Sequence, residues 1–152
     1  PLDDHWKVYF PVVVISFFLM LPGIIYGEKK KQWRRVLLTS VVILLLAQVL
    51  FLQAHSLALI VLALLVYFVG FNLLEALQPS MVSRWAKDEK GVALGIYNTT
   101  QSVGLFAGAA IGGLLMQYSG YLSVFIGGSV LIILWLIIAW PMRNVPSAQA
   151  AS

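Results

Sequence analysis

The chain has 152 residues, of which 61% are hydrophobic and only 11% charged, and its mean hydropathy is +0.91. A soluble domain of this length has about 25% charged residues, so the composition indicates a membrane protein. The absence of cysteine excludes disulfides, thiolate metal sites and a cysteine nucleophile. The net charge of +4 comes from short basic clusters between apolar runs, which does not indicate nucleic-acid binding.

Long apolar stretches predict how the chain is organised. A helix that crosses a membrane needs about 20 mostly apolar residues. We therefore predict an all-α integral membrane protein with five transmembrane helices, joined by short connections and followed by a polar tail or linker. The predicted spans are 8–27, 36–54, 57–79, 91–116 and 122–142, and the tail is 143–152.

Basic residues predict the orientation of these spans, because cytoplasmic loops are enriched in Lys and Arg. Nine of the ten lie on the side that holds loop 28–35, loop 80–90 and the tail, and only Lys7 lies on the other side. We expect residue 1 to be outside and residue 152 to be cytoplasmic. Transporters built from two six-helix halves have an even number of spans. The odd number here predicts a further helix before Pro1.

The third span contains a carboxylate, in the stretch GFNLLEALQPS at 70–80. At about 100° per residue, Asn72 and Gln78 lie about 60° to either side of Glu75, so the three form one polar arc. Pro79 has no N–H for the carbonyl of residue 75, which predicts a bend in the helix. The arrangement is typical of a cavity lining. Glu75 is then either a protonatable group on a transport path or part of a buried polar knot that serves only packing.

The fourth span carries two further signals. Gly104, Gly108 and Gly112 are spaced by four and share one face, which predicts close helix packing or a seam that slides during transport. Asn98 and Gln101 should face protein or water rather than lipid. They are interpreted as cavity lining or as partners in hydrogen bonds between helices.

Catalytic and metal-binding motifs are not found in the sequence. It contains no Walker loop, HExxH or GxSxG pattern, and His5 and His55 have no second ligand nearby. We expect no enzyme activity, no metal site and no cofactor.

Four blocks resemble the YajR-like branch of the major facilitator superfamily: HWKVY at 5–9, IIYGEKKKQW at 24–33, FNLLEALQPS at 71–80 and KGVALGIYNTTQSVG at 90–104. The resemblance implies helices eight to twelve, in the C-terminal half of a twelve-helix transporter. It also implies proton-driven export of drugs or small metabolites across the bacterial inner membrane, by an antiporter that works through alternating access. Glu75 would then be the acidic residue of the tenth helix, facing the central cavity.

The same resemblance assigns a role to the basic loop. GEKKKQWRR at 27–35 is similar to a cytoplasmic loop motif of the superfamily, in which Glu28, Arg34 and Arg35 would hold an inward gate through ion pairs. The glycine and the usual spacing of that motif are missing here. The implied partners are a small-molecule substrate, protons, the lipid bilayer and the N-terminal half of the same transporter. The alternative is a stand-alone five-span scaffold or complex subunit that packs through its glycines.

Overall fold

The structure is helical throughout most of its length. The computed structural model of the protein describes residues 6–143, apart from the side chain of Val8. Within this range all four helices are long and apolar enough to cross a membrane, which confirms the all-α membrane class. The helices are α1 (Trp6–Lys30), α2 (Trp33–Leu52), α3 (Leu57–Trp85) and α4 (Lys90–Ala139).

The helices extend beyond the predicted apolar spans. The predicted loop 28–35 is reduced to a tight turn at Lys31 and Gln32, in which Lys31 has a φ of 53°. The third helix continues unbroken through Pro79 to Trp85. Hydropathy marks only the part of a helix in hydrocarbon, whereas polar and charged residues continue the same helix into the headgroup region. The connections are therefore shorter than the sequence indicates.

The fourth helix turns back on itself at Gly120. Its 50 residues would extend about 75 Å if straight, far beyond a hydrocarbon core of about 30 Å. Gly120 has a φ of 76°, a conformation that glycine adopts without strain. Ser123 Oγ lies 3.0 Å from the carbonyl oxygen of Leu115, whereas eight residues of straight helix rise about 12 Å. The first segment (90–119) and the second segment (121–139) thus meet at the predicted connection 117–121. The number of membrane crossings stays a prediction.

The core lies mainly between α2 and α3. Gly70 of α3 sits against α2 so closely that a Cβ added there would be 3.1 Å from the carbonyl oxygen of Ser40. This backbone approach allows the facing aliphatic side chains to interdigitate. The first helix contributes Met20 to the core and α4 contributes Ala139. The α2 and α3 members are Trp33, Val36, Leu37, Val41, Leu44, Leu73, Leu74, Leu77 and Met81.

The two segments of α4 are packed very differently. The second segment lies along α2, where the rings of Phe51 and Phe125 stack with centroids 5.1 Å apart. Among the described residues of α4 the only buried one is Ala139, near its end. The first segment therefore exposes most of its surface. This leaves the polar face between α3 and the first segment open.

Candidate functional site

Glu75 and Gln101 form a hydrogen bond between two helices. Glu75 is exposed on α3, and Nε2 of Gln101 on α4 donates to its Oε1 over 2.7 Å. A bond of this length to a carboxylate is charge-assisted and stronger than a bond between neutral groups. The bond connects α3 to the first segment of α4 at the level of this acid.

A second bridge lies one helical turn away, toward the connection 86–89. The hydroxyl of Tyr97 donates to Oε1 of Gln78 over 3.0 Å. From the first bridge to the second, the chain advances on α3 and goes back on α4, so the helices are antiparallel. We call Glu75, Gln78, Tyr97 and Gln101 together the polar strip. The polar strip joins α3 to the first segment of α4, two elements that share little other packing.

Asn72 and Asn98 lie outside the polar strip. The side chain of Asn72 donates to Ser16 Oγ on α1 over 3.1 Å. Ser16 is completely buried, and its own hydroxyl donates to the carbonyl of Val13 over 2.8 Å. Asn98 is exposed and takes part in neither bridge. Of the predicted site residues, the polar strip therefore contains Glu75, Gln78 and Gln101. Asn72 lies in a contact between α1 and α3.

Two partners in these contacts were missed by the sequence reasoning. Tyr97 precedes Gln101 by four residues, so the two share a helix face, and that spacing could have identified it. Ser16 is a hydroxyl within the apolar run of the first span. A polar residue in such a run must find a partner inside the protein, which could have identified it too.

The predicted gate residues contact other groups. Arg34 donates to the carbonyl oxygen of Trp140, at the C-terminal end of α4, and lies 6.0 Å from that ring's centroid. Arg35 donates over 2.8 Å to Oε1 of Gln32. Glu28 is exposed at the end of α1. Both arginines thus make contacts at helix ends, and the ion pairs implied by the resemblance stay a prediction.

The predicted roles of Pro79 and of the glycine face concern the shape and the packing of α3 and α4. Pro79 lies inside the unbroken α3. A Cβ added at Gly104, Gly108 or Gly112 would have no atom of the described chain within 4 Å. The glycines that do contact a neighbouring helix include Gly70 on α3, Gly23 and Gly27 on α1, and Gly128 in the second segment of α4. The predicted seam stays a prediction, in which these glycines pack against a helix outside the described chain.

A cavity of about 560 Å³ adjoins the polar strip near the α3–α4 connection. Its one polar wall is the bonded pair Gln78 and Tyr97. Across residues 6–143 the side chains offer no cluster of three or more histidines and carboxylates that could hold a metal ion, and His5 lies outside this range. The apolar lining comes from three helices and the residues that follow them, including Leu37, Met81, Trp85, Ala93 and Met142.

Comparison with known proteins decides the family. The family model described as Major Facilitator Superfamily matches residues 8–152. The chain belongs to this superfamily. It is 34% identical, over 148 residues, to the inner membrane transport protein YajR of Escherichia coli K12, which is 96% of this chain and 33% of that protein.

Two relatives from Buchnera aphidicola are each named as an uncharacterized transporter. One, from the Acyrthosiphon pisum subspecies, is 33% identical over 109 residues, covering 70% of this chain and 28% of the relative. The other, from the Baizongia pistaciae subspecies, is 29% identical over 133 residues, covering 86% and 34%. The chain thus spans about a third of the length of the curated relatives it matches.

The comparisons confirm the broader expectations from the sequence. The predicted superfamily is correct, and the relatives are named as transporters rather than as enzymes. Together with the apolar helices, this identifies a multi-pass membrane protein of a transporter family.

Proposed function

We propose that the chain is part of the C-terminal six-helix half of a twelve-helix secondary active transporter, with helices eight to twelve in residues 1–142 and a tail in 143–152. The chain covers 33% of YajR, which supports a part of a longer transporter. The four sequence blocks that resemble the YajR-like branch carry the C-terminal placement. The turn at Gly120 supports five crossings, because 90–119 and 121–139 are each about as long as one crossing needs. The basic loops favour residue 1 outside and residue 152 in the cytoplasm, in an inner membrane.

The proposed activity is proton-coupled export of drugs or small metabolites by alternating access. The observation that carries it is Glu75, an exposed carboxylate and the one charged residue within the predicted span 57–79. Hydrocarbon does not tolerate such a group, so in the whole transporter it faces protein or water. An acid there that is not covered by its own half can face the path between the halves. Glu75 is the proposed proton carrier, and Gln101 its partner.

The remaining predicted site residues serve either the path and the gate or the packing of the helices in this proposal. Gln78 is half-buried and Asn98 is exposed, and both lie near the path, whereas Asn72 joins α1 to α3. Glu28 and Arg35 are exposed charges that suit a cytoplasmic gate, whereas Arg34 anchors the end of α4. The proposed partners are the substrate, protons, the bilayer and the N-terminal half.

The test uses the full-length transporter in everted membrane vesicles. A panel of cationic dyes and small metabolites is screened for uptake, and internal pH is followed with a fluorescent indicator. In vesicles with wild-type protein, uptake of a dye or metabolite should be coupled to the release of protons from the vesicle interior. Glu75→Gln keeps the shape of the side chain but cannot titrate, and should abolish the coupling. The control Glu89→Gln makes the same change at an exposed acid just before α4, outside the polar strip and the proposed gate, and should retain the coupling. The polar-knot interpretation predicts that Glu75→Gln transports with unchanged pH dependence, and that result would refute the proton carrier.

A further inference from the structure

We propose that the cavity between α2, α3 and α4 binds an anionic phospholipid. One acyl chain occupies the cavity, and the phosphate lies at a basic rim beside the α3–α4 connection. The site is distinct from the proton carrier at Glu75, and it would stand even if proton coupling were disproved.

The lining suits hydrocarbon. Its volume, about 560 Å³, falls within the range of about 300–1,000 Å³ that is usual for ligand sites. Apart from Gln78 and Tyr97, the walls are aliphatic, thioether and indole groups. The two polar side chains already bond to each other. A polar ligand would therefore find few partners inside, whereas an acyl chain would leave no polar group newly unsatisfied.

The location suits a lipid. The cavity lies where α3 ends at Trp85 and where the chain leaves α4 at Met142. Trp85 lines it and is 53% exposed. Tryptophan is enriched at the level of the lipid headgroups. A mouth at this depth opens to acyl chains on one side and to phosphates on the other.

The rim favours an anionic headgroup. Lys87 directly follows the lining residue Ala86, and Arg143 follows Met142. Lys90 lies one turn before Ala93 on the same face of α4. These three exposed cations outnumber the two exposed acids of the connection, Asp88 and Glu89. Basic pockets between transmembrane helices are typical sites for acidic headgroups.

Arg84 does not belong to this rim. Its guanidinium lies 4.5 Å from the ring centroid of Trp33, and its Nε donates to Ser80 over 3.3 Å. Both contacts hold the side chain on the α2 side of α3. The proposed phosphate contacts are therefore limited to Lys87, Lys90 and Arg143.

The charge of the rim can be tested without disturbing the packing. Full-length transporter is purified in detergent, stripped of lipid and titrated with phosphatidylglycerol or phosphatidylcholine, and bound lipid is counted by native mass spectrometry. Phosphatidylglycerol should bind preferentially. The double variant Lys87→Gln/Lys90→Gln should bind it about tenfold more weakly. The control Lys29→Gln/Lys30→Gln removes the same charge at the end of α1 and should leave binding unchanged. Equal binding of both lipids, or equal losses in both variants, would overturn the proposal.

Filling the cavity gives an independent test. Ala93→Phe places a ring in the space assigned to the acyl chain, and should abolish the gain in melting temperature that phosphatidylglycerol gives to the wild type. The control Ala58→Phe makes the same change at an exposed position at the start of α3. If Ala93→Phe retains the gain, the cavity is not the lipid site. If wild-type protein shows no gain while Ala93→Phe melts lower without lipid, another segment of the transporter fills the cavity and the proposal fails.

Discussion

Gln101 and Glu75, on two antiparallel helices, are joined by a hydrogen bond of 2.7 Å from amide to carboxylate. The amide nitrogen can only donate, so the carboxyl oxygen is the acceptor. The two residues are 26 positions apart in the chain, so the bond connects α3 to the first segment of α4. It therefore ties the position of α4 to the side chain that we propose as the proton carrier.

Replacing Gln101 by Leu should weaken the attachment of α4 to α3. The change removes the hydrogen bond to Glu75 and leaves the carboxyl group without this partner. The melting temperature of the full-length transporter in detergent should therefore be lower in Gln101→Leu than in the wild type.

Asn98→Leu is the matched control for this measurement. It makes the same kind of change on the same helix, at an exposed position outside the polar strip. Its melting temperature should stay close to that of the wild type. If both variants lower the melting temperature equally, the effect is a general change in polarity and the Gln101 bond has no special role.

Arg34 and Arg35 should differ in their effect on stability. Arg34 bonds to the carbonyl of Trp140, far along the chain, whereas Arg35 bonds to the local residue Gln32. Arg34→Gln should lower the free energy of unfolding by about 1–2 kcal/mol, because a charged donor to the end of α4 is lost. Arg35→Gln should cost less than about 0.5 kcal/mol. Thermal unfolding in detergent measures both. A larger loss for Arg35 would mean that the contact with Trp140 contributes little.

Much of the fold could be predicted from hydropathy, but the exact helix ends could not. Apolar runs located every helix, and the gap at 117–121 between the fourth and fifth predicted spans contains the turn at Gly120. The second predicted span begins at residue 36, whereas α2 begins at Trp33. The third ends at residue 79, whereas α3 continues to Trp85. Helix hydrogen bonding continues through charged and proline-containing segments, and hydropathy does not report it.

The candidate site could be predicted only residue by residue. Glu75 and Gln101 were each selected because polar groups in apolar helices need partners, yet nothing in the sequence paired them. Pairing depends on the register between α3 and α4, which the connection 86–89 and the packing determine together. The same limit explains Asn72: its polarity was visible, but not that it faces Ser16 on α1. The spacing of glycines pointed to Gly104, Gly108 and Gly112 instead of Gly70. The close neighbour of Gly70 is Ser40, which is far away in the sequence, so spacing could not identify it.

Tyr97 and Gln78 should be energetically coupled, though weakly. Their bond is between neutral groups and only partly buried. Such bonds between membrane helices contribute about 0.6 kcal/mol on average in double-mutant cycles. The cycle consists of Tyr97→Phe, Gln78→Leu and the double variant, each measured by thermal unfolding. A coupling energy indistinguishable from zero would show that the second bridge of the polar strip does not hold α4 to α3.

Gly70→Ala and Gly108→Ala should reveal two different uses of glycine. At Gly70 the new Cβ would meet the backbone oxygen of Ser40 at 3.1 Å, and backbone cannot move aside without separating α2 from α3. We expect a loss of about 1–3 kcal/mol in the free energy of unfolding. At Gly108 no atom of the described chain is within 4 Å, so these contacts alone predict a gain, since alanine favours a helix by up to about 1 kcal/mol.

In the whole transporter, Gly108→Ala should lower the stability instead of raising it. If Gly104, Gly108 and Gly112 form a seam, a helix outside this chain packs against them and has no room for a methyl group. Gly108→Ala should then lower the melting temperature of the full-length protein, although it touches nothing in the part described. The control is Gly91→Ala, also without neighbours within 4 Å but at the start of α4. A rise in melting temperature for both variants would place the glycine face against lipid, because only the gain in helix propensity would remain.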